Sequence, residues 1–207
     1  RPLEGDTVTH ILATHTPGDP SPAAAPLKER TGAPTYGYGP HPAADVRIGT
    51  PAEDGDGDGP PQEERSDLDF VPDVVTRDGD VIRGDGWTIE ALHTPGHISN
   101  HLCFALAEEK VLFTGDHVMG WSTSVIPSPD GDLTAYMTNL RRLLARDDAV
   151  YWPTHGPPIT EPHRFVEALI AHRDERTRQI RARLAAGDTT IGEMVPVLYA
   201  DVDESLH

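Results

Sequence analysis

Apolar residues in this chain fall into short runs that stop at polar, glycine-containing or proline-containing turns. Val8 to Ala13 is the first such run and reads as a buried strand. Ser21, Pro22 and Gly32 then frame a short helix as N-cap, first-turn proline and C-terminal glycine, enclosing Ala23-Ala24-Ala25-Pro26-Leu27-Lys28-Glu29-Arg30. Thr35 to Tyr38 reads as the next strand, and Trp87 to Leu92, His101 to Leu106, Lys110 to Thr114 and Ala149 to Trp152 as four more. Two later segments change to helical spacing. Leu133 to Arg146 puts Leu133, Tyr136, Leu140, Leu143 and Leu144 on one side. Glu161 to Ala186 has Thr160 as N-cap, Gly187 at its end and an apolar stripe of Val166, Ile170, Ile180 and Leu184. Thr190-Ile191-Gly192-Glu193 has the form of a capping box and opens a last helix. This order of strand, loop, helix and strand predicts an α/β layered fold.

Composition narrows the picture. At 207 residues and 37% hydrophobic, the chain can bury the core of one domain. No stretch approaches the ~20 apolar residues of a membrane span, and Arg1-Pro2-Leu3-Glu4-Gly5-Asp6 is no signal-peptide core, so a cytoplasmic protein without a membrane partner is expected. The single cysteine, Cys103, lies in the run Leu102-Cys103-Phe104-Ala105-Leu106, which predicts a buried thiol and fits a reducing compartment.

A net charge of −17 disfavours RNA and other polyanions as partners. Much of it is local: between His41 and Asp80 twelve Asp/Glu stand against three Arg, a net of −9. There Glu53-Asp54-Gly55-Asp56-Gly57-Asp58-Gly59-Pro60-Pro61 forms a low-complexity acidic loop, so a flexible insert is expected over about residues 50–66. Its Asp54-x-Asp56-x-Asp58-Gly59 matches the opening of a calcium-binding loop, but the position of the final glutamate holds Arg65, and a solvated linker is the better reading. The arginines of the long helix, Arg164, Arg173, Arg176, Arg178, Arg181 and Arg183, read as a solvated face before they read as a track for RNA.

Metal-ligand residue types recur where the chain turns out of predicted strands. The segments are Leu92-His93-Thr94-Pro95-Gly96-His97, Phe113-Thr114-Gly115-Asp116-His117 and Trp152-Pro153-Thr154-His155-Gly156, with a fourth, Leu12-Ala13-Thr14-His15-Thr16-Pro17-Gly18-Asp19-Pro20. Imidazoles and carboxylates from separate loops can converge on one divalent cation, and such a donor set suits Zn, Fe or Mn. His10, His41, His163, His172 and His207 stand outside these motifs and receive no role.

The ordered set Thr-His-Thr-x-x-Asp, His-Thr-Pro-Gly-His, Thr-Gly-Asp-His and Thr-His-Gly resembles the metallo-β-lactamase fold superfamily. The continuation Asp116-His117-Val118-Met119-Gly120-Trp121-Ser122-Thr123-Ser124 is similar to its endoribonuclease-type "β-lactamase-like protein 2" branch. The resemblance implies an αβ/βα sandwich over residues 1–187, truncated at both ends, with residues 188–207 starting a helical, winged-helix-like extension. It assigns His15, the position of Pro17, and His97 to one metal; Asp19, the position of Pro20, and His155 to a second; and Asp116 as the bridge. The family's first loop reads His-x-His-x-Asp-His where this chain has His15-Thr16-Pro17-Gly18-Asp19-Pro20, so each metal lacks one imidazole. Loss of a supporting partner alone costs roughly 10–100-fold in metal affinity or activity, and loss of a direct ligand costs at least as much. One or two zinc ions at partial occupancy are therefore expected, the fuller site formed by Asp19, Asp116 and His155 with help from His97. His93, His101 and His117 are given supporting roles.

The activity implied is hydrolysis of an ester, thioester or phosphodiester by a metal-activated hydroxide, with Asp116 orienting the nucleophile and Asp19 accepting its proton. A small molecule or a phosphodiester would be the substrate. Two alternatives stand beside it: a catalytically inactive pseudoenzyme serving as a binding or scaffold module, and an RNA-binding or ribonuclease domain.

Overall fold

A computed structural model describes residues 5, 7–16, 20–40 and 70–200. Strands β1 (Ile11–Leu12), β2 (Thr35–Gly37) and β3 (Val74–Val75) form a parallel sheet in the order β1-β2-β3. Strands β4 (Val81–Gly84), β5 (Trp87–His93), β6 (Leu102–Leu106), β7 (Val111–Gly115) and β8 (Val150–Pro153) form a second sheet in chain order. It is antiparallel as far as β7, and β8 then pairs parallel to β7. The crossover between those two strands is helix α2 (Leu133–Leu143), as a parallel connection requires.

Three apolar clusters order the layers. Helix α1 (Pro20–Thr31) covers the first sheet through Ile11, Ala24, Ala33 and Leu27. Leu12 and Tyr36 of that sheet pack on Ile82, Ala91, Leu102 and Phe104 of the second. On the far face Leu92, Cys103, Ala105 and Leu112 meet Tyr136, Leu140 and Leu143 of α2 and Val166 and Leu169 of α3 (Pro162–Ala186). Alternation along β6 and β7 sends successive side chains to opposite faces, which is how one sheet serves two cores. The result is helix, sheet, sheet, helix: the expected αβ/βα sandwich.

Several boundaries differ from expectation. Helix α1 begins at Pro20, so Ser21 lies inside it instead of capping it; proline suits a first helical position because its missing N–H has no helical partner to lose. The N-cap of α3 is Glu161, not Thr160, and it makes no side-chain cap. The first strand is confined to Ile11–Leu12, where β2 supplies a ladder. Strands β3 and β4 were not anticipated.

The stripe on α3 is buried only near its start. Val166 is 0% exposed while Leu184 is 53% exposed, because 25 residues extend about 37 Å, well beyond the width of the sheet they cover. Arg173 and Arg176 instead donate to the Ser124 and Leu198 carbonyls, and Arg178 and Arg183 pair with Glu175 and Asp188. Helix α4 (Ile191–Leu198) opens with the anticipated capping box of Thr190 and Glu193. No helix among the described residues is long and apolar enough to cross a membrane. The acidic insert at about residues 50–66, with its calcium-like loop, lies outside the described residues.

Candidate metal centre

Four strand ends deliver the candidate ligands. His15 follows β1, His97 follows β5, Asp116 follows β7 and His155 follows β8. The two sheets are tied together where the first loop starts: Leu102 N donates to Thr14 O at 2.6 Å. Thr16 N donates to Asn100 Oδ1, and Asn100 Nδ2 returns a bond to Thr16 Oγ1. The Pro95-Gly96 turn is fastened to α2, since Asn139 Nδ2 donates to Pro95 O and Asp132 N to Gly96 O. The loops bearing Asp116 and His155 are joined by Gly120 N donating to His155 O at 2.8 Å.

One carboxylate oxygen is the hub of the cluster. Asp116 Oδ2 lies 3.7 Å from His15 Nε2, 3.8 Å from His97 Nε2 and 3.7 Å from His155 Nε2. These separations are too long for N–H···O hydrogen bonds. They are close to what a shared cation imposes: ligands held roughly 2.0–2.2 Å from one zinc are about 3.4 Å apart in a tetrahedron. Among the described residues His15, His97 and Asp116 form the compact group whose donor atoms all lie within 4.8 Å of one another. His155 reaches the same oxygen from the more open side, its side chain 30% exposed against 3% for His15 and 8% for His97.

Hydrogen bonds on the far nitrogens orient two of the imidazoles. His97 Nδ1 is 2.6 Å from Val125 O; a carbonyl only accepts, so Nδ1 carries a proton and Nε2 is the nitrogen turned toward Asp116. His15 Nδ1 lies 2.9 Å from Thr14 Oγ1, which can hold its tautomer in the same way. Burial first, then the neighbouring His97 and His155, drive His15 down from 6.5 to about 3. Its contact with Asp116 is therefore no ion pair at neutral pH. A set of imidazoles gathered around one carboxylate oxygen fits a divalent cation.

His93, His101 and His117 stand away from the shared oxygen. His93 Nε2 bonds Ser99 O and its ring stacks on Tyr38 at 4.2 Å. His117 is fully buried against the Tyr136 ring, 4.9 Å away. Asp19 and Pro17 lie outside the described residues. Sequence reasoning gave no role to Trp121, whose indole lies parallel to the His155 ring at 6.0 Å and is 70% exposed; its place directly after the Asp116 loop was the available signal.

The comparisons agree with this architecture. The model of the metallo-beta-lactamase superfamily matches residues 1–155, and the chain belongs to that superfamily. It is 37% identical over 140 residues to the atrochrysone carboxyl ACP thioesterase AgnL7 of Paecilomyces divaricatus, a match covering 62% of this chain and 43% of that relative. The chain thus spans less than half the length of that relative. Among solved structures, a beta-lactamase domain protein from Burkholderia ambifaria superposes with a TM-score of 0.73 at 20% identity, over 96% of this chain and 66% of the other, a likeness of fold. The di-iron-bound form of TTHA1623 has a TM-score of 0.54 at 26% identity, over 76% of each chain.

Proposed function

We propose that the chain is a metal-dependent hydrolase of acyl esters, thioesters foremost, whose centre is formed by His15, His97, Asp116 and His155. The observation that carries the reading is the single oxygen, Asp116 Oδ2, shared by three Nε2 atoms at 3.7–3.8 Å. A thioester is favoured over a phosphodiester because a relative is an ACP thioesterase and because the chain carries a net charge of −17. Zinc fits the donors, and iron or manganese fits them too, iron being the metal of one structural neighbour. Held by those residues, such an ion would supply Lewis acidity and the activation of water near neutral pH.

The chain's own residues do the rest. His15 and His97 present lone pairs from a buried wall, and the Val125 carbonyl prevents the His97 ring from rotating. Asp116 brings the negative charge that offsets the cation and an oxygen that orients the proton of the attacking nucleophile. Substrate enters from the side of His155 and Trp121, where the centre is most open. Asp19 takes the role of proton acceptor on the strength of the sequence pattern alone. Pro17 and Pro20, standing where the family pattern has histidines, favour the rival reading of a binding module without catalysis.

Metal analysis of the purified protein, paired with hydrolysis of an acyl N-acetylcysteamine thioester and of bis-p-nitrophenyl phosphate, separates these readings. Bound zinc, iron or manganese, thioester turnover above phosphodiester turnover, and loss of both metal and turnover in Asp116→Asn are expected. A folded protein that takes up no metal from micromolar zinc would establish the binding module instead.

A further inference from the structure

Behind Asp116 lies a set of hydrogen bonds whose donors can be assigned one by one. The Asp116 backbone N–H, which can only donate, points to His101 Nε2 at 3.1 Å, so that nitrogen carries no proton. His101 is fully buried, and a ring that accepts at Nε2 has only Nδ1 left to carry a proton. The ring's one proton is therefore on Nδ1 and is donated to Thr94 Oγ1 at 2.8 Å. The Thr94 hydroxyl hydrogen is then free to point at Cys103 Sγ, 3.3 Å away. Cys103, pushed up to about 12 by burial and so a thiol, donates in turn to Thr114 O at 3.5 Å.

Thr114 stands two residues before Asp116, so the relay begins and ends on the same piece of chain after crossing the ends of β5 and β6. Thr94, His101, Cys103 and Thr114 are each 0% exposed. Gly115 sits at φ +51, and a Cβ there would be 2.5 Å from His101 Nε2; only glycine lets the ring approach the amide. The same ring also stacks on His15 at 5.1 Å. With both nitrogens committed, His101 has none to lend to a cation.

We propose that His101, ordered from behind by Thr94 and Cys103, is the positioning residue for Asp116: it fixes the backbone on which the shared carboxylate is mounted and touches neither metal nor substrate. The consequence for metal affinity rests on the metal-centre reading above; the hydrogen-bond pattern itself does not.

Two measurements test it on the full chain. In 15N-labelled, chelator-treated protein, long-range proton–nitrogen correlation should find the His101 proton on Nδ1, and the Asp116 amide should exchange slowly. Zinc affinity, measured by competition with a chromophoric chelator alongside circular dichroism, should split the variants. His101→Gln keeps an acceptor for the Asp116 amide and should bind zinc within about threefold of the unsubstituted chain, whereas His101→Leu and Thr94→Val should be roughly 10–100-fold weaker. Thr94→Val leaves the ring in place but strands its proton, so a purely space-filling role for His101 predicts no effect there. A proton on Nε2, equal weakening in the Gln and Leu variants, or unchanged Asp116 protection in Thr94→Val would overturn the proposal. Should His101→Leu fail to fold, the tautomer and Thr94→Val decide. Should the unsubstituted chain bind no zinc, the metal-centre reading falls, while the tautomer and the Asp116 amide still decide the positioning role.

Discussion

Gly96 precedes His97 and has φ +145, where an added Cβ would meet the Tyr136 Cα at 2.4 Å and the Tyr136 N at 2.5 Å. Those atoms belong to the backbone of α2, which cannot swing aside as a long side chain could. Gly96→Ala should therefore incur two penalties: about 1–3 kcal/mol for the disfavoured backbone region and about 1–3 kcal/mol for overpacking. Taking about 4 kcal/mol together, and about 2–4 °C per kcal/mol for a chain of this size, the melting temperature should fall by about 8–16 °C. Gly86 separates the two causes. It has φ +78 with nothing within 4 Å of an added Cβ, so Gly86→Ala should lose only about 1–2 kcal/mol. The Gly96 change should also disturb His97, because the Gly96 carbonyl accepts from Asp132 N at 2.9 Å and so anchors the turn to α2. Thermal melts of metal-free protein and zinc competition assays on both variants give the answer. Equal melting losses, or full zinc affinity in Gly96→Ala, would refute the reasoning.

Three further outcomes are expected. In chelator-treated protein, His15 and His117 are both driven from 6.5 to about 3, chiefly by burial. The unfolded chain binds those protons below about 6.5 and the folded one does not, so stability is complete above that pH and falls toward pH 3 by about 1.4 kcal/mol per pH unit for each group; urea midpoints that stay flat between pH 7.5 and pH 5 would contradict this. Asp116→Asn should lower zinc affinity by at least about 100-fold, beyond the cost of a mere supporting partner, as chelator competition would show; an unchanged affinity would mean that Oδ2 is not the hub. On the sequence pattern alone, Pro17→His with Pro20→His should raise zinc stoichiometry toward two per chain by mass spectrometric metal analysis, each single change restoring one ion, and thioester hydrolysis by the pair should exceed the sum of the single changes; a folded double variant that stays metal-poor would refute this.

What could be read in the sequence and what could not divide along physical lines. Strands β5 to β8 were legible because Leu92, Leu102, Cys103, Phe104, Val111, Leu112 and Tyr151 belong to apolar runs that burial between two layers demands. Strands β3 and β4 were not, because Val74, Val75 and Val81 are exposed and set among Asp and Arg residues, leaving no run to notice. The capping box at Thr190 was legible since both partners are three residues apart; the cap of α3 was misplaced because Glu161 makes no side-chain bond that its identity could announce.

The centre itself shows the sharper limit. Ligand types at strand ends can be picked from a sequence, since parallel and antiparallel strands must both end at some edge. The common oxygen cannot, because it depends on the Gly120–His155 bond and the Asn139–Pro95 bond that set each loop against its neighbour. Nor can the tautomers. His97 and His101 sit in one motif four residues apart, yet one faces a carbonyl through Nδ1 and the other faces an amide through Nε2. The same side chain thus turns Nε2 toward Asp116 Oδ2 in the first case and accepts the Asp116 backbone N–H in the second. Chemistry at this centre is decided by what each imidazole's far nitrogen touches, and that contact is made by residues, Val125 and Thr94, that carry no ligand character of their own.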